Sequence, residues 1–312
     1  MTKQTLLYVE NNPGLPNQWH WRNHLSQYFN FEVLDMNKTY DPKECFMWMC
    51  RLEEDQGWAQ QYIDKGFKLV YENLWDYYGK AITRGSTLML HSHDFILADE
   101  SLMYTARSHD KLDVVRTNPR KFLFCPMHLE REHRTQLFDK IKKYQDVSLI
   151  SYVSKGITLP GDIEYGDGRW QRFANPEWYK STNFSLVAET TVIDPMLISE
   201  KMFKPSAFKH PFIIFGPPFV LERLQSYGFE TFSHVVDESY SRITNEDKRL
   251  VKISNIIDEL YTSFQKGDML FSDTRSLEII DHNYATFYNK ELINNIVVND
   301  IVNPVLEFVN KI

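Results

Sequence analysis

Short apolar runs rich in β-forming residues alternate with longer stretches of helical spacing over the first third of the chain. The runs that predict strands are residues 5–9, 31–36, 67–72 and 86–91, and the stretches that predict helices are residues 19–29 and 42–65. Such an alternation is typical of a parallel sheet with helices on its faces.

The same alternation begins again after Asn118 and Pro119. Strands are predicted at residues 120–127, 147–153, 183–190, 211–216 and 229–232, and helices at 133–144, 199–209 and 218–227. Gly228 is a natural C-cap for the last of these helices. Residues 154–181 are rich in glycine and proline and predict a long irregular connection. From residue 244 the pattern is helical, at 244–265, 273–289 and 291–310.

The two series predict an α/β protein with two domains, residues 1–117 and 118–290, followed by a C-terminal helix at 291–312. Proteins of this kind bind ligands at the carboxyl ends of their strands, so we expect a cleft between the two sheets. We expect the first domain to bind an acceptor and the second domain to bind a nucleotide.

Composition indicates a globular protein. The 312 residues are 43% apolar and 25% charged, which is enough to bury a sizeable core. We expect no transmembrane segment and no signal peptide. Cys45, Cys50 and Cys125 have no metal-ligand spacing, which fits a reducing compartment. The predicted location is the cytoplasm, that of the host cell if the protein is phage-encoded, and the sequence leaves the oligomeric state open.

Charge is unevenly distributed. Residues 116–143 hold eight Lys and Arg against three acids, a balance of +5, so the rest of a chain of net charge −7 carries −12. A local basic segment on an acidic protein suggests an anionic ligand at one place. The alternative is a solvated helix face, which we favour for Lys140, Lys142 and Lys143.

Several nucleotide and metal motifs are absent from the sequence. It has no G-x-G-x-x-G after the first strand, no Walker A motif and no D-x-D. His91 and His93 lie close in sequence, but no third ligand stands at a useful spacing. We therefore predict no metal site and no cofactor.

The most informative stretch is residues 184–218, which predicts a strand, a loop, a helix and a second strand. Glu189 stands at the carboxyl end of the first strand, where acidic side chains commonly hold ribose hydroxyls. Ser199 is a good N-cap for a helix that begins at Glu200. The N–H groups of a helix start attract phosphate, and Lys201 adds a full positive charge. An ordinary exposed helix start would show the same residues.

This stretch resembles the donor-site motif of α-1,3-fucosyltransferase-like glycosyltransferases. The matching residues are Phe184, Glu189, Ser199, Glu200, Lys201, Pro211, Phe215 and Gly216. Residues 121–141 resemble the family's other donor element, in which Arg134 matches an arginine. Glycosyltransferase-like proteins of bacteriophages are more similar still, with segments like residues 228–240 and 281–283. The resemblance covers about half of the chain, and the family's Glu-Asn-Ser is Glu189-Thr190-Thr191 here.

The resemblance implies the GT-B architecture, in which two Rossmann-like domains face a central cleft, here with a helical C-terminal tail. It also implies an inverting reaction. Because no cation site is predicted, Arg134, Lys201 and the helix start at Glu200 would stabilise the charge on the leaving diphosphate.

An inverting transfer needs a carboxylate that removes the proton of the acceptor hydroxyl. Candidates follow strands of the first domain: Asp94 ranks first, Glu72 second, and Glu10 is a third. Each could instead be a turn or helix-capping carboxylate. Three tryptophans either stack on an acceptor or belong to the core: Trp19, Trp21 and Trp75.

Two later features of the second domain also have alternatives. Tyr240 would lie over the nucleotide base, or pack in the core. The Asp281-His282-Asn283 segment is interpreted as a structural polar cluster that fixes the C-terminal helix.

The sequence thus predicts a hexosyl- or pentosyltransferase that is independent of metal and uses a nucleotide diphosphate sugar as co-substrate. The acceptor would be a glycan or a hydroxymethylated base of phage DNA. The alternative is a non-catalytic nucleotide or sugar binder on the same fold.

Overall fold

The computed structural model describes residues 4–9, 26–35, 37–49, 58–73, 82–106, 119–159, 175–193 and 199–310. The chain divides into two compact units, Met1–Arg107 with Asn289–Ile312, and Ser108–Tyr288. The predicted boundaries, at residues 117 and 290, lie close to these. The predicted separate tail at 291–312 instead belongs to the first unit.

The first unit contains a six-stranded sheet in the order β2-β1-β3-β4-β6-β5. Its strands are β1 (Thr5–Val9), β2 (Asn30–Val33), β3 (Cys45–Met49), β4 (Leu69–Asn73), β5 (Ile82–Arg84) and β6 (Thr87–His91). All neighbours are parallel except β5 and β6, which form a hairpin. Gly85 adopts a left-handed backbone at the turn of this hairpin, with a φ of 55°.

Strand β3 corrects the predicted helix at residues 42–65, of which only α1 (Trp58–Asp64) is helical. The strand lies between β1 and β4, and Phe46 and Met47 are buried. A central parallel strand is apolar on both faces, so it has no alternation, and its short apolar run cannot be told from a buried helix by periodicity.

The C-terminal helices pack within the first unit. They are α9 (Lys290–Ile296), a π-helical segment (Val297–Val302) and α10 (Asn303–Asn310), and the first two contact α2 (Ser92–Ala106). Lys68 Nζ donates to the carbonyl oxygens of Phe308 and Val309, at 3.0 and 2.9 Å. These bonds satisfy carbonyl groups at the end of α10 that have no partner within the helix.

By length and composition alone, the helical stretch Lys290–Asn310 could cross a membrane, although the sequence was expected to contain no such segment. Its side chains Val297, Ile301 and Val305 are buried in the first unit. A core helix of a globular unit passes the same test, so this stretch is weak evidence for a membrane span.

The second unit contains a four-stranded, all-parallel sheet in the order β10-β9-β7-β8. Its strands are β7 (Lys121–Met127), β8 (Leu149–Tyr152), β9 (Thr182–Ala188) and β10 (Phe212–Phe215). Its helices are α3 (Glu132–Ile141), α4 (Pro176–Ser181), α5 (Lys204–Ala207), α6 (Val220–Ser226), α7 (Glu246–Gln265) and α8 (Thr274–Phe287). Two sheets of mainly parallel strands, each with helices, confirm the predicted α/β class.

Residues 229–232 form no strand, which corrects a second prediction. Instead, Glu230 is held by a side chain of α8: its N–H donates to Asn283 Oδ1 at 2.7 Å, and Asn283 Nδ2 donates to its carbonyl at 2.9 Å. His282 Nε2–H donates to the Gly228 carbonyl, and Lys209 pairs with Asp281, both at 2.8 Å. The Asp281-His282-Asn283 segment is therefore structural, as predicted, but it holds residues 228–230 and Lys209 rather than the C-terminal helix.

The predicted helix at residues 199–209 is interrupted. The structure has a 3-10 turn (Glu200–Met202) followed by the four-residue helix α5. Pro205 has no N–H for a bond to the carbonyl four residues earlier, and its ring would collide with that carbonyl. An unbroken helix beginning at Glu200 is excluded for this reason.

Candidate functional site

Three adjacent parallel strands of the second unit end at one edge of the sheet. The residues that follow them are His128 after β7, Glu189 after β9 and Gly216 after β10. Ala188 is opposite Phe215 in the register, and the Glu189 N–H donates to the Phe215 carbonyl at 3.0 Å. These residues therefore lie side by side where parallel α/β sheets bind ligands.

The carboxylate of Glu189 is buried and only partly satisfied. Its Oε2 accepts hydrogen bonds from Ser199 Oγ at 2.6 Å and from the Thr190 N–H at 2.8 Å. Its Oε1 is also buried but accepts no hydrogen bond from any residue in the described ranges. Burial raises the pKa of Glu189, although Lys201 and the two hydrogen bonds oppose that shift. A buried carboxylate oxygen without a donor indicates a place for a donor group of a ligand.

Gly216 gives Glu189 the space it occupies. A Cβ at position 216 would lie 3.1 Å from Glu189 Cγ and 3.3 Å from Val220 Cγ2. Any larger residue would therefore push against the Glu189 side chain. This close approach gives a physical reason for the glycine of the Gly-Pro pair.

Arg134 and His133, both from the first turn of α3, hold the main chain of Glu189. Arg134 Nε and Nη2 donate to the Glu189 carbonyl at 3.3 and 3.1 Å, and His133 Nε2–H donates to the same oxygen at 3.0 Å. Arg134 Nη1 donates to the Leu129 carbonyl at 3.2 Å. Burial lowers the pKa of Arg134, and lowers that of His133 to about 4, so His133 is neutral near pH 7. The guanidinium predicted to bind phosphate is therefore engaged here with main-chain carbonyls.

Ser199, Glu200 and Lys201 converge on Glu189, as the sequence predicted. Lys201 Nζ donates to Glu200 Oε1 at 2.7 Å, and to Thr190 Oγ1 and Ser199 Oγ at 3.2 and 3.4 Å. Burial would raise the pKa of Glu200, but the ammonium groups of Lys201 and Lys204 outweigh it and lower that pKa to about 2. Ser199 is the predicted N-cap, accepting from the Lys201 N–H, but it caps the 3-10 turn rather than an α-helix.

Two residues of this site were missed at the sequence level. Thr190 links the two charges, since its N–H binds Glu189 and its hydroxyl accepts from Lys201. His128 lies near the cations: burial lowers its pKa, and the charges of Arg134 and Lys201 lower it further. A polar residue directly after a predicted strand was the available signal for both.

The loop after Glu189 is held by a buried arginine that the sequence did not single out. Arg249, in the first turn of α7, donates to the main-chain carbonyls of Val192 and Ile243. Burial lowers the pKa of Arg249. The bond to Val192 holds the loop after Glu189, and the bond to Ile243 joins that loop to the start of α7.

The predicted contact of Tyr240 with a nucleotide is not supported. Its side chain is fully buried, and its hydroxyl accepts from the Ile214 N–H at 3.3 Å. Tyr240 therefore packs against β10, which was the alternative interpretation.

The predicted catalytic carboxylates belong to the first unit. Glu72 lies in β4, and Asp94 is the third residue of α2, which begins directly after β6. Strands β4 and β6 are adjacent, so both residues are near one edge of that sheet. The side chains of Glu72, Asp94, His91 and His93 lie outside the described part of the structure, as do Glu10, Trp19, Trp21 and Trp75. Within the described ranges, no three His, Cys, Asp or Glu side chains are grouped as a metal site.

No protein-family model and no curated protein matches the chain. Solved structures that match it include an α1,3-fucosyltransferase with GDP-fucose, at 10% identity and a TM-score of 0.49, covering 99% of this chain and 91% of that one. The DNA-modifying enzyme β-glucosyltransferase, studied with and without uridine diphosphoglucose, matches at 9% identity and a TM-score of 0.46, covering 99% of both chains. The fucosyltransferases are the family that residues 184–216 resemble. At these identities and TM-scores, the matches identify neither a reaction nor a substrate.

Proposed function

We propose that this protein is a glycosyltransferase that takes its sugar from a nucleotide diphosphate sugar, bound at the carboxyl edge of the second sheet. The observation that carries the proposal is the carboxylate of Glu189. One of its oxygens is buried without a hydrogen-bond donor among the described residues, beside the ammonium of Lys201. A ligand that fits this pair offers a hydroxyl group to the carboxylate and an anion to the ammonium. The ribose and diphosphate of a nucleotide offer both.

In this proposal the donor completes two sets of contacts. A ribose hydroxyl donates to Glu189 Oε1, which satisfies the unpaired acceptor. Lys201 Nζ, now paired with Glu200, turns to the diphosphate and stabilises the charge that develops as the sugar leaves. Arg134 adds a fixed positive charge near the donor. His128 is neutral there and can donate or accept a hydrogen bond.

The proposed reaction is an inverting transfer that needs no metal ion. The acceptor hydroxyl would lose its proton to Asp94, or to Glu72, from the first unit. Stabilisation of the leaving group would depend on Lys201 and on hydrogen bonds rather than on a metal ion.

Several cations of the basic segment, residues 116–143, are paired or buried, which favours a glycan acceptor over DNA. Lys142 and Lys143 are paired with Asp139 and Asp258, at 2.8 Å in each case. Arg134 is buried. Because three of the eight cations of this segment are paired or buried, we rank a hydroxymethylated base in DNA second. A DNA acceptor would make acceptor affinity fall steeply with salt, whereas a neutral glycan would not.

The first experiment measures binding of UDP, GDP, CDP and dTDP by thermal denaturation. A nucleotide at a hundred times its Kd stabilises the native state by about 2.7 kcal/mol. For a unit of this size, that raises Tm by roughly 5–10 °C. Glu189→Gln and Lys201→Ala should reduce the shift, and Lys142→Ala, which removes an exposed lysine, should not. Equal shifts in all variants, or none with any nucleotide in the parent protein, would refute the proposed donor site.

The second experiment separates an enzyme from a non-catalytic binder. Purified protein is incubated with the nucleotide sugar whose nucleotide it binds, and release of the free nucleotide diphosphate is measured with and without acceptor glycans. Release that Lys201→Ala abolishes supports a transferase. Tight binding without release would support the binder.

A further inference from the structure

Three large apolar side chains are exposed just beyond the three strands that form the donor-site edge. Leu129 follows β7, Ile193 follows β9 and Phe219 follows β10, with 50%, 77% and 47% of their surfaces exposed. Single exposed apolar residues are ordinary, but several beside one polar site indicate a surface that contacts a ligand.

The backbone of Phe219 is strained. It has φ 64° and ψ 19°, a left-handed conformation that is rare for a bulky residue and that glycine adopts without cost. Its N–H donates to the Ser241 carbonyl at 2.6 Å, and its carbonyl accepts from the Arg223 N–H at 3.0 Å. The Ser241 hydroxyl in turn donates to Glu222 Oε2 at 2.8 Å. Such strained residues, fixed from several sides, are concentrated at ligand clamps.

Phe219 is linked to Glu189 through Gly216, which both Glu189 and Val220, the residue after Phe219, approach closely. A Cβ at position 216 would lie 3.1 Å from Glu189 Cγ and 3.3 Å from Val220 Cγ2. Phe219 directly precedes Val220 and is three residues from Gly216, which limits its separation from that glycine to about 10 Å. Phe219 thus belongs to the short segment that passes beside the Glu189 side chain, and its side chain is half exposed.

We propose that the ring of Phe219 is the surface on which the nucleobase of the donor stacks. This inference rests on the proposed nucleotide site, and it adds the group that holds the base. If the ribose binds Glu189 and the diphosphate binds Lys201, the flat aromatic base of the nucleotide still needs a surface to bind. Stacking on an aromatic side chain accepts any base, since every base has a π-face. Phe219 therefore contributes affinity for nucleosides in general rather than for one base.

The test compares ligands with and without a base. UDP, GDP and inorganic pyrophosphate are titrated into the parent protein, Phe219→Ala, Phe219→Tyr and Leu277→Ala. Alanine, like phenylalanine, has a Cβ that disfavours the left-handed backbone. Phe219→Ala therefore removes the ring without relieving the backbone strain. Leu277, 48% exposed on α8, is the matched control for loss of an exposed apolar side chain.

We expect Phe219→Ala to lower the affinity for UDP and GDP about fivefold or more and to leave the affinity for pyrophosphate unchanged. Phe219→Tyr and Leu277→Ala should bind all three as the parent does. Unchanged nucleotide binding in Phe219→Ala overturns the stacking role while leaving the donor site intact. Equal weakening of pyrophosphate overturns it too, since the loss would then come from a disturbed site. If the parent protein binds no nucleotide, the proposed function itself fails.

Discussion

Gly216→Ala is the substitution that tests most directly whether Glu189 is the centre of the site. The added Cβ would meet three side-chain carbons: Glu189 Cγ at 3.1 Å, and Ile214 Cγ2 and Val220 Cγ2 at 3.3 Å. All three distances are shorter than ordinary van der Waals contact, so the neighbours must move by a few tenths of an ångström. Overpacking of this kind costs about 1–3 kcal/mol. For a unit of this size, that lowers Tm by roughly 2–12 °C.

The displaced group should be Glu189, whose Cγ is the nearest of the three. We therefore expect Gly216→Ala to lose nucleotide affinity as well as stability. Gly267→Ala is the matched control: Gly267 has a φ of 89°, and nothing lies within 4 Å of an added Cβ. That variant should lose about 1–2 kcal/mol to backbone strain alone, without touching the site.

The assay measures Tm and nucleotide affinity for both variants under one set of conditions. The expected result is a loss of stability in both and a loss of affinity only in Gly216→Ala. If Gly216→Ala is destabilised but binds nucleotide as the parent does, then the position of the Glu189 carboxylate does not matter for binding, and the reasoning is wrong.

Four further predictions follow from the same contacts. Lys201→Ala should weaken nucleotide binding about tenfold or more, the value of a charge-assisted hydrogen bond. It should also lower Tm, because Glu200 and Glu189 lose the ammonium that lowers their pKa. Arg134→Ala should lower Tm because it leaves buried carbonyls unpaired, and an unchanged Tm in either variant would contradict this. Because the folded-state pKa of His133 is about 4 against 6.5 when unfolded, stability should fall as the pH drops from 6.5 to 4, by up to about 3 kcal/mol; urea unfolding of His133→Gln should show a flatter profile over that window. Asp94→Asn should cut turnover about 10²–10⁴-fold without affecting nucleotide affinity, and if turnover survives there but not in Glu72→Gln, the base is Glu72. Transfer should persist in excess EDTA, and loss of activity that Mn²⁺ or Mg²⁺ restores would refute a cation-free leaving group.

The sequence by itself determined most of the second unit. The strands β7, β8, β9 and β10 were predicted within a few residues, because apolar runs bounded by turn residues are a local signal. Glu189, Ser199, Glu200 and Lys201 were predicted to meet because they follow a strand or begin the next turn, and the ends of parallel strands share one edge. The structural role of Asp281-His282-Asn283 also followed from its place in a helix.

Local patterns failed where neighbours in space decide the outcome. Strand β3 is apolar on both sides because other strands and helices enclose it, and its periodicity therefore resembled that of a buried helix. Residues 229–232 have the composition of a strand, but the side chain of Asn283 takes the hydrogen bonds of Glu230 that a neighbouring strand would have taken.

The finer chemistry of the site was decided only by tertiary structure. The sequence cannot show what a charged side chain contacts, and only the fold shows that Arg134 donates to the main-chain carbonyl of Glu189, 55 residues away. Similarly, the left-handed Phe219 is bonded through its N–H to Ser241, 22 residues further along the chain, and the need for a glycine at 216 depends on the side chain of Glu189. Hydrogen bonds and steric contacts between distant segments are set by packing, and no local pattern of residues encodes them.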